Sequence, residues 1–442
     1  MELAEGERFP DRDGGTTVAP AQGRTEETLF DHAPPPGAPL PPHVLADRPF
    51  LWLVLATGVA NLAFWAYFGA VWAEAPYRFH ANQAQMSILL ASFSGPLVLL
   101  VPLQGVLVDR WSPKWLFSIG VVLGIAAVPP AWGASSIRWL YLSSFLMGSA
   151  IAAIAPARSA LTGLLIEDHR LVQANGMLSG ANQLALVVGP FTAGFVLRTA
   201  GTDALYPGVL AVAVVALGLS FAVPDRRQGG ARPALTLRDL GDGVATTWRL
   251  SELRLLLWLW SAAWLMVNVY WALQSLYVKE SLHLPSDAVP FLWAAQGLGA
   301  LVGSVVLYRT EHGVGRELVF TGMGLGATGV GLMVFSLFDS YALAVVGMIV
   351  FGGGFAAYFS SSLALIQRLA GEEKRGRVTS LFTVIQEGTA VVAAAVIVGL
   401  GGLVVVRPSL AVSGAILLVA GGVGLLRLSG RLRRTAAESV SG

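Results

Sequence analysis

The chain has 442 residues, of which 55% are hydrophobic and only 13% are charged, and its net charge is +2. Because a soluble globular protein carries roughly 25% charged residues, this composition predicts an integral membrane protein. The small net charge gives no reason to expect a nucleic-acid partner. The absence of cysteine excludes disulfides, thiolate metal sites and iron–sulfur clusters. No metal or other cofactor is predicted.

The first 47 residues differ from the rest of the chain. They are acidic, rich in glycine and end in a stretch that contains PPPGAPLPP. Such a segment cannot bury enough apolar area to fold, so residues 1–47 are predicted to form a disordered cytoplasmic tail. They lack the basic start and apolar core of a signal peptide.

Twelve apolar segments follow, each close to the roughly 20 residues that a membrane-spanning helix needs. They cover residues 50–72, 85–107, 115–134, 138–165, 172–198, 204–223, 253–277, 289–308, 316–337, 340–368, 378–403 and 406–427. A cytoplasmic loop at 224–252 divides them six plus six. This pattern predicts an all-α membrane protein with bundles at 48–223 and 253–427 and a cytoplasmic C-terminal tail at 428–442.

The distribution of basic residues predicts the orientation of the chain. With both termini in the cytoplasm, most arginines and lysines near the span ends lie inside, as the positive-inside rule requires. The basic residues left outside are Arg78, Arg138, Arg198, Lys279 and Arg407. We therefore expect a multi-pass, monomeric protein of the bacterial inner membrane.

The two halves repeat each other in sequence. A shift of 204 residues places LMGSAIAA (146–153) on VFGGGFAA (350–357), and a shift of 206 places Trp65 on Trp271 and Glu74 on Glu280. Two six-helix repeats around a site near the membrane midplane are typical of secondary transporters.

The loop after the second predicted span carries a recognisable motif. GVLVDRWSPK, with Gly105, Asp109, Arg110 and Lys114, resembles the signature G-x-L-x-D-R-x-[GS]-R-[KR] of the major facilitator superfamily. The resemblance implies the twelve-helix fold of that family, with Asp109 bracing a cytoplasmic gate against the start of the eleventh span. The alternative is a loop whose basic residues only hold the orientation.

The fifth predicted span carries a second motif. GMLSGANQLALVVGPFTAG resembles the antiporter motif of exporters in this superfamily, and the matching residues are Gly176, Gly189, Pro190 and Gly194. Small residues allow close helix contact, and proline bends a helix. The resemblance implies export, and the alternative is ordinary helix packing.

The segment at 156–180 narrows the resemblance. Its P-x-R-x-A-L run at Pro156 and the following Ala174-Asn175 pair are similar to the macrolide-efflux and enterobactin-exporter branch. This likeness implies an amphipathic small molecule as substrate. Ser144 stands where drug:proton exporters have an arginine, so their proton-relay scheme does not carry over.

Glu387 is predicted to be the only acid deep in a span, about 15 Å from Arg377 at helical rise. An ionisable residue at that depth is a candidate functional group. We expect Glu387 to exchange protons or to bind a cationic group of the substrate. The alternative is a permanently protonated side chain that hydrogen-bonds Gln296 or a backbone carbonyl.

Arg158 is predicted to be the only deep cation. It could balance Glu387 or hold an anionic group, and the alternative is a side chain that snorkels inward to backbone carbonyls.

The predicted substrate cavity comprises Asn61, Trp65, Arg158, Asn182, Gln183, Asn268, Tyr270, Trp271, Gln274, Gln296, Gln386 and Glu387. This mixture of aromatic faces and few polar groups suits a bulky, largely apolar ligand.

No enzyme signature and no nucleotide-binding motif occurs in the sequence, so a proton gradient is the predicted energy source. The sequence predicts a proton-coupled exporter of amphipathic molecules, such as a macrolide-like drug or a siderophore, that works by alternating access. The alternatives are an importer or uniporter of a small metabolite, or a membrane protein that binds a ligand without moving it.

Overall fold

The computed structural model describes residues 47–100, 111–167, 170–226, 237–310 and 314–441. These residues form helices joined by short connections, and no strand occurs among them. Twelve of the helices are long and apolar enough to cross a membrane. The predicted all-α fold with twelve spans is confirmed.

The N-terminal half contains six spanning helices. They are α1 (Arg48–Arg78), α2 (Gln83–Leu100), α3 (Pro113–Trp132), α4 (Ile137–Leu165), α5 (Leu171–Ala200) and α6 (Thr202–Ala222). Helix α1 continues to Arg78, beyond its predicted end at residue 72, and residues 73–76 of this extension are buried.

The C-terminal half contains the other six spans. They are α8 (Ser251–Glu280), α9 (Ala288–Tyr308), α10 (Val314–Leu337), α11 (Tyr341–Gly371), α12 (Lys374–Leu403) and α13 (Val406–Ser441). Helices α11 and α12 form one helical run that is interrupted at Gly371, where φ is 70° and ψ is 165°. Glycine adopts this conformation without a steric penalty, so it separates the two spans.

The predicted loop at 224–252 contains a helix that the sequence analysis did not predict, α7 (Leu237–Arg249). Asp242 Oδ2 accepts a hydrogen bond from Arg377 Nη1 at 3.0 Å, and Gly243 lies against the Arg377 carbonyl. Trp248 is exposed. A search for apolar spans misses such a helix because only one of its faces is apolar.

The two halves repeat each other in their closest helix contacts. Gly120 of α3 lies against the Ala150 carbonyl of α4, and 204 residues later Gly324 of α10 lies against the Gly354 carbonyl of α11. Likewise Gly148 of α4 contacts the backbone at Phe93 in α2. The equivalent pair in the second half is Gly352 and Gln296. The predicted shift of 204 therefore holds for α3 with α10 and for α4 with α11, whereas Phe93 of α2 and Gln296 of α9 are 203 residues apart.

The shift of 206 proposed for the first and seventh spans is wrong. His80 and His283, which follow α1 and α8, are the two described non-glycine residues with positive φ. After His80, the Ala81 amide bonds to the Ala75 carbonyl, and after His283 the Leu284 amide bonds to the Val278 carbonyl. These matching helix ends are 203 residues apart, so Trp65 corresponds to Asn268, and the Trp65–Trp271 match was fortuitous.

Contacts between the halves complete the fold. Helix α5 packs against α9, and α2 packs against the α11–α12 run. A Cβ atom added at Gly194 of α5 would lie only 3.2 Å from the Asp287 carbonyl oxygen and from the Phe291 ring, so the absence of a side chain permits this crossing.

We predict that Gly148→Ala lowers the free energy of unfolding by about 1–3 kcal/mol, because the added methyl group collides with the Phe93 backbone. Gly163→Ala is the matched control on the same helix, where a methyl group meets no neighbour. It should be neutral or stabilise by up to ~1 kcal/mol. Thermal unfolding midpoints of the purified variants in detergent micelles check this, and equal midpoints would contradict the close packing.

Candidate functional site

One end of the molecule is closed by contacts between α1 and α8, and we call it the sealed end. The hydrogen bonds that cross between the halves there include Lys279 Nζ to Pro76 O at 2.5 Å, Tyr77 OH to Leu284 O at 2.6 Å, and Trp72 Nε1 to Trp271 O at 2.9 Å. The Lys279 ammonium also lies 5.7 Å from the centre of the Tyr77 ring, within cation–π range.

An aromatic layer lies just inside the sealed end. Phe68 stacks on Trp72 with ring centres 3.8 Å apart, and Trp293 of α9 lies 4.8 Å from Phe68 and 6.2 Å from Trp271. Trp72, Phe68 and Trp293 are almost completely buried. These rings exclude water between the halves at this level.

Glu74 is a buried acid that the sequence analysis did not single out. Its Oε2 accepts a hydrogen bond from Tyr206 OH at 2.5 Å, and its Oε1 lies 3.4 Å from Arg78 Nη1. Arg78 also donates to the Ala134 carbonyl. Glu74 thus ties the end of α1 to α6 and to the end of α3. The sequence analysis placed Glu74 outside the first span, because it predicted that this span ends at residue 72.

A cavity of about 420 Å³ lies within the N-terminal half, between α1, α4 and α5. Its lining is formed by Asn61, Phe64, Trp65, Ile151, Ile154, Ala155, Arg158, Ser159, Thr162, Asn175, Leu178, Ser179 and Asn182. Asn61 and Trp65 form its deep end beneath the aromatic layer. Ser159, Asn175 and Ser179 are exposed, so the cavity reaches solvent towards the end of the molecule opposite the seal.

Helical spacing places the polar lining residues on shared faces. Asn175, Ser179 and Asn182 follow one another at four and three residues along α5, and Arg158 and Thr162 are four apart on α4. Of the predicted cavity residues, four line this cavity: Asn61, Trp65, Arg158 and Asn182. Ser159, Thr162, Asn175 and Ser179 were missed, although the same spacing from Arg158 and Asn182 points to them.

Arg158 is half-buried and faces this cavity. No carboxylate of the described chain lies within ion-pair distance of its guanidinium, and the cavity lining contains no acidic residue. An ion pair between Arg158 and Glu387 is therefore not formed in this conformation.

Glu387 is half-buried on α12 and is not part of the cavity lining. Its Oε1 accepts a hydrogen bond from Gln386 Nε2 at 3.1 Å. Gln296, the amide named in the alternative, has another partner in this conformation, since its Oε1 accepts from Tyr270 OH at 3.0 Å. No basic side chain in the described ranges forms an ion pair with Glu387.

The other predicted lining residues pack elsewhere, because aromatic and amide side chains also fill helix interfaces. Tyr270, Gln274 and Gln296 are buried in the C-terminal half. Two more predicted lining residues, Asn268 and Gln183, form hydrogen bonds to other helices. Asn268 Nδ2 donates to Thr389 Oγ1 at 3.2 Å, and Gln183 Nε2 donates to Ser304 Oγ at 3.4 Å. Trp271 belongs to the aromatic layer, and Gln386 holds Glu387.

The motif residues are only partly described. Gly105, Asp109 and Arg110 lie outside the described residues, and Lys114 Nζ donates to the Phe221 carbonyl at 2.9 Å. On α5, Gly189 lies against the Leu62 carbonyl of α1, next to Pro190 in the helix interior. Gly194 contacts α9, whereas Gly176 has no close neighbour.

Comparison with known proteins agrees with this architecture. Residues 53–394 match the model of the Major Facilitator Superfamily. The chain belongs to this superfamily. Membership of this superfamily points to a membrane transporter.

Relatives with similar sequences are named for the substrate that they transport. Lysophospholipid transporter LplT from Yersinia pestis (strain Pestoides F) is 26% identical over 329 residues, which is 71% of this chain and 78% of the relative. The same protein from Yersinia pseudotuberculosis serotype O:3 (strain YPIII) matches equally. These relatives do not confirm the predicted likeness to the macrolide-efflux and enterobactin-exporter branch.

Solved structures agree on the fold alone. Nucleoside transporter NupG superposes with a TM-score of 0.65 and 11% identity, over 87% of this chain and 98% of that one. A mutant of NupG superposes with a TM-score of 0.68, over 87% of this chain and 99% of that one.

Because the native chain has no cysteine, a single introduced thiol reports local access. We predict that Ser179→Cys at the cavity mouth reacts with a maleimide roughly tenfold faster than Ser275→Cys, which is fully buried on α8. The parent protein serves as the unlabelled control. Equal reaction rates would show that the cavity is closed or that the seal does not form.

Proposed function

We propose that the chain exports an amphipathic small molecule by alternating access. The observation that carries this proposal is the cavity, which runs from beneath the aromatic layer to the end opposite the seal. A transporter with one closed end and one accessible end presents its site to a single side of the membrane. Rocking of the two halves would break the seal and expose the site to the other side.

The positive-inside rule supplies the direction in which the cavity faces. Arg78 and Lys279 lie at the sealed end, and both are among the few basic residues assigned to the outside. On this orientation the sealed end is extracellular, and the cavity faces the cytoplasm of a bacterial inner-membrane protein. A site that loads from the cytoplasm, together with the antiporter-like motif around Pro190, supports export.

Proton exchange at Glu387 is the proposed source of energy. The carboxylate is half-buried in a spanning helix, and its hydrogen-bond partner Gln386 is neutral. A carboxylate with no cationic partner is free to change its protonation state during the cycle. Glu74, by contrast, is held by Arg78 and Tyr206 and is proposed to be structural.

The relatives suggest which amphipathic molecule to test first. They are named as lysophospholipid transporters, and a lysophospholipid combines one acyl chain with a polar head. The cavity offers an apolar wall beside amides and hydroxyls, which suits such a molecule. Macrolide-like drugs and siderophores are the other candidates, as the sequence predicted.

Transport into proteoliposomes tests the proposal. We predict that the purified full chain, under an imposed proton gradient, moves at least one of three labelled compounds uphill: a lysophospholipid, a macrolide or a siderophore. A protonophore should abolish the uphill movement. Flux of none of the three above that of protein-free liposomes would contradict the proposal, and movement in the same direction as the protons would favour an importer.

A variant tests the role of Glu387. Glu387→Gln keeps the shape and the hydrogen bond to Gln386 but cannot exchange a proton, so we predict that uphill transport falls to the level of empty liposomes. Substrate exchange without a gradient should survive. Glu280→Gln, at an exposed acid near the sealed end, is the matched control and should transport normally. Full uphill transport by Glu387→Gln would refute the coupling role.

A further inference from the structure

We infer that Arg158 anchors an oxyanion of the substrate, so that the transported molecule is an amphipathic anion. The inference rests on the proposed function only in taking the cavity between α1, α4 and α5 as the substrate site. The anionic group is a phosphate, a carboxylate or a sulfonate, which share negatively charged oxygens that accept several hydrogen bonds.

The first step concerns charge. Arginine stays protonated in proteins, and Arg158 is seven residues from the end of α4 at Leu165, about 10 Å into the helix. A cation at such depth is costly without a partner. No carboxylate of the described chain pairs with it, and the cavity lining is free of acids. An anionic ligand would supply the missing charge.

The second step concerns hydrogen bonds. Two further groups in the cavity lining are buried donors without an acceptor, the Asn61 side-chain amide Nδ2 and the Trp65 indole Nε1. Asn61 is only 8% exposed. Buried N–H groups normally have hydrogen-bond partners, so these two donors are left unsatisfied without a ligand. Both side chains line the same cavity as Arg158, and a ligand rich in acceptor oxygens that displaces the atoms now covering these N–H groups would satisfy all three residues.

The third step concerns the remainder of the ligand. Phe64, Ile151, Ile154 and Leu178 form an apolar part of the same cavity. Its volume of about 420 Å³ accommodates an alkyl chain or a small ring system. The cavity therefore selects a molecule that is anionic at one end and apolar at the other. Amphipathic cations are disfavoured because they would meet the guanidinium.

Binding to the native protein tests this selection without any substitution. The probes are octyl phosphate, octanoate, octyl glucoside and octyltrimethylammonium, which share one chain and differ in head group. A ligand raises the unfolding midpoint according to its affinity. We expect octyl phosphate and octanoate to stabilise the full chain in detergent at lower concentrations than the neutral and cationic probes, and the tighter of the two identifies the preferred oxyanion.

Variants then assign the preference to Arg158. Arg158→Gln should weaken octyl phosphate binding roughly 10- to 100-fold, because hydrogen bonds to a charged group are lost. Octyl glucoside binding should change little. Arg158→Lys keeps the charge but loses the planar guanidinium, so its affinity for octyl phosphate should lie between those of the native chain and Arg158→Gln. Arg198→Gln, an exposed arginine at the other end of α5, is the matched control and should bind like the native chain.

Several results would overturn the inference. The first is the absence of an anion preference in the native protein. The second is an equal loss of affinity for neutral and anionic probes in Arg158→Gln. The third is inorganic phosphate binding as tightly as octyl phosphate, which indicates an adventitious ion only. If Arg158→Gln keeps gradient-driven transport of the compound moved by the native chain, the anchor is refuted and the exporter stands. If the native chain binds octyl phosphate but transports nothing, the exporter fails and the anchor stands.

Discussion

The fold depends on backbone contact between helices at glycine. Gly148 lies against the backbone at Phe93, and Gly352 lies against the backbone at Gln296, so α2 with α4 and α9 with α11 are joined more closely than side chains would permit. In a membrane, where burial of apolar groups does not drive helices together, such close packing is a main source of cohesion. It makes each half a compact body. The contacts between the halves are of a different kind, with aromatic rings and a few hydrogen bonds, and the proposed rocking motion would exchange them for others.

The helix packing repeats between the two halves, but the charged side chains within the spanning helices do not. At the shift of 204, Arg158 of the first half corresponds to Ser362, and Glu387 of the second half corresponds to Gln183. One half therefore contributes a cation to a spanning helix and the other contributes an acid. Because the two do not pair in this conformation, they can serve different partners. The structure separates a cationic cavity wall from an acid that the proposal assigns to protons, so substrate and proton need not compete for one group.

The sequence predicts most of this fold because membrane spans are governed by length and hydropathy, which are local properties. It fails where a feature depends on tertiary contact. The burial of Glu74 is not predicted because it depends on Tyr206 and Arg78, and α7 is not predicted because its apolar face is too narrow to resemble a span. The cavity is predicted in part: Asn61, Trp65, Arg158 and Asn182 were chosen as polar or aromatic residues in spans. Tyr270 and Gln296 satisfy the same criterion but bond to each other, and only tertiary structure separates these cases.

The sealed end is strong enough to hold one conformation and weak enough to be released. Three of the hydrogen bonds that cross it, with a net contribution of ~1 kcal/mol each, stabilise the closed arrangement by about 3 kcal/mol. That corresponds to a bias of roughly a hundredfold between the two arrangements. A ligand shifts such an equilibrium only by its difference in affinity for the two states. An anion held by Arg158 and the donors near Trp65 contacts the cavity directly beneath the aromatic layer, so tighter binding in the open arrangement by a similar factor would suffice to release the seal.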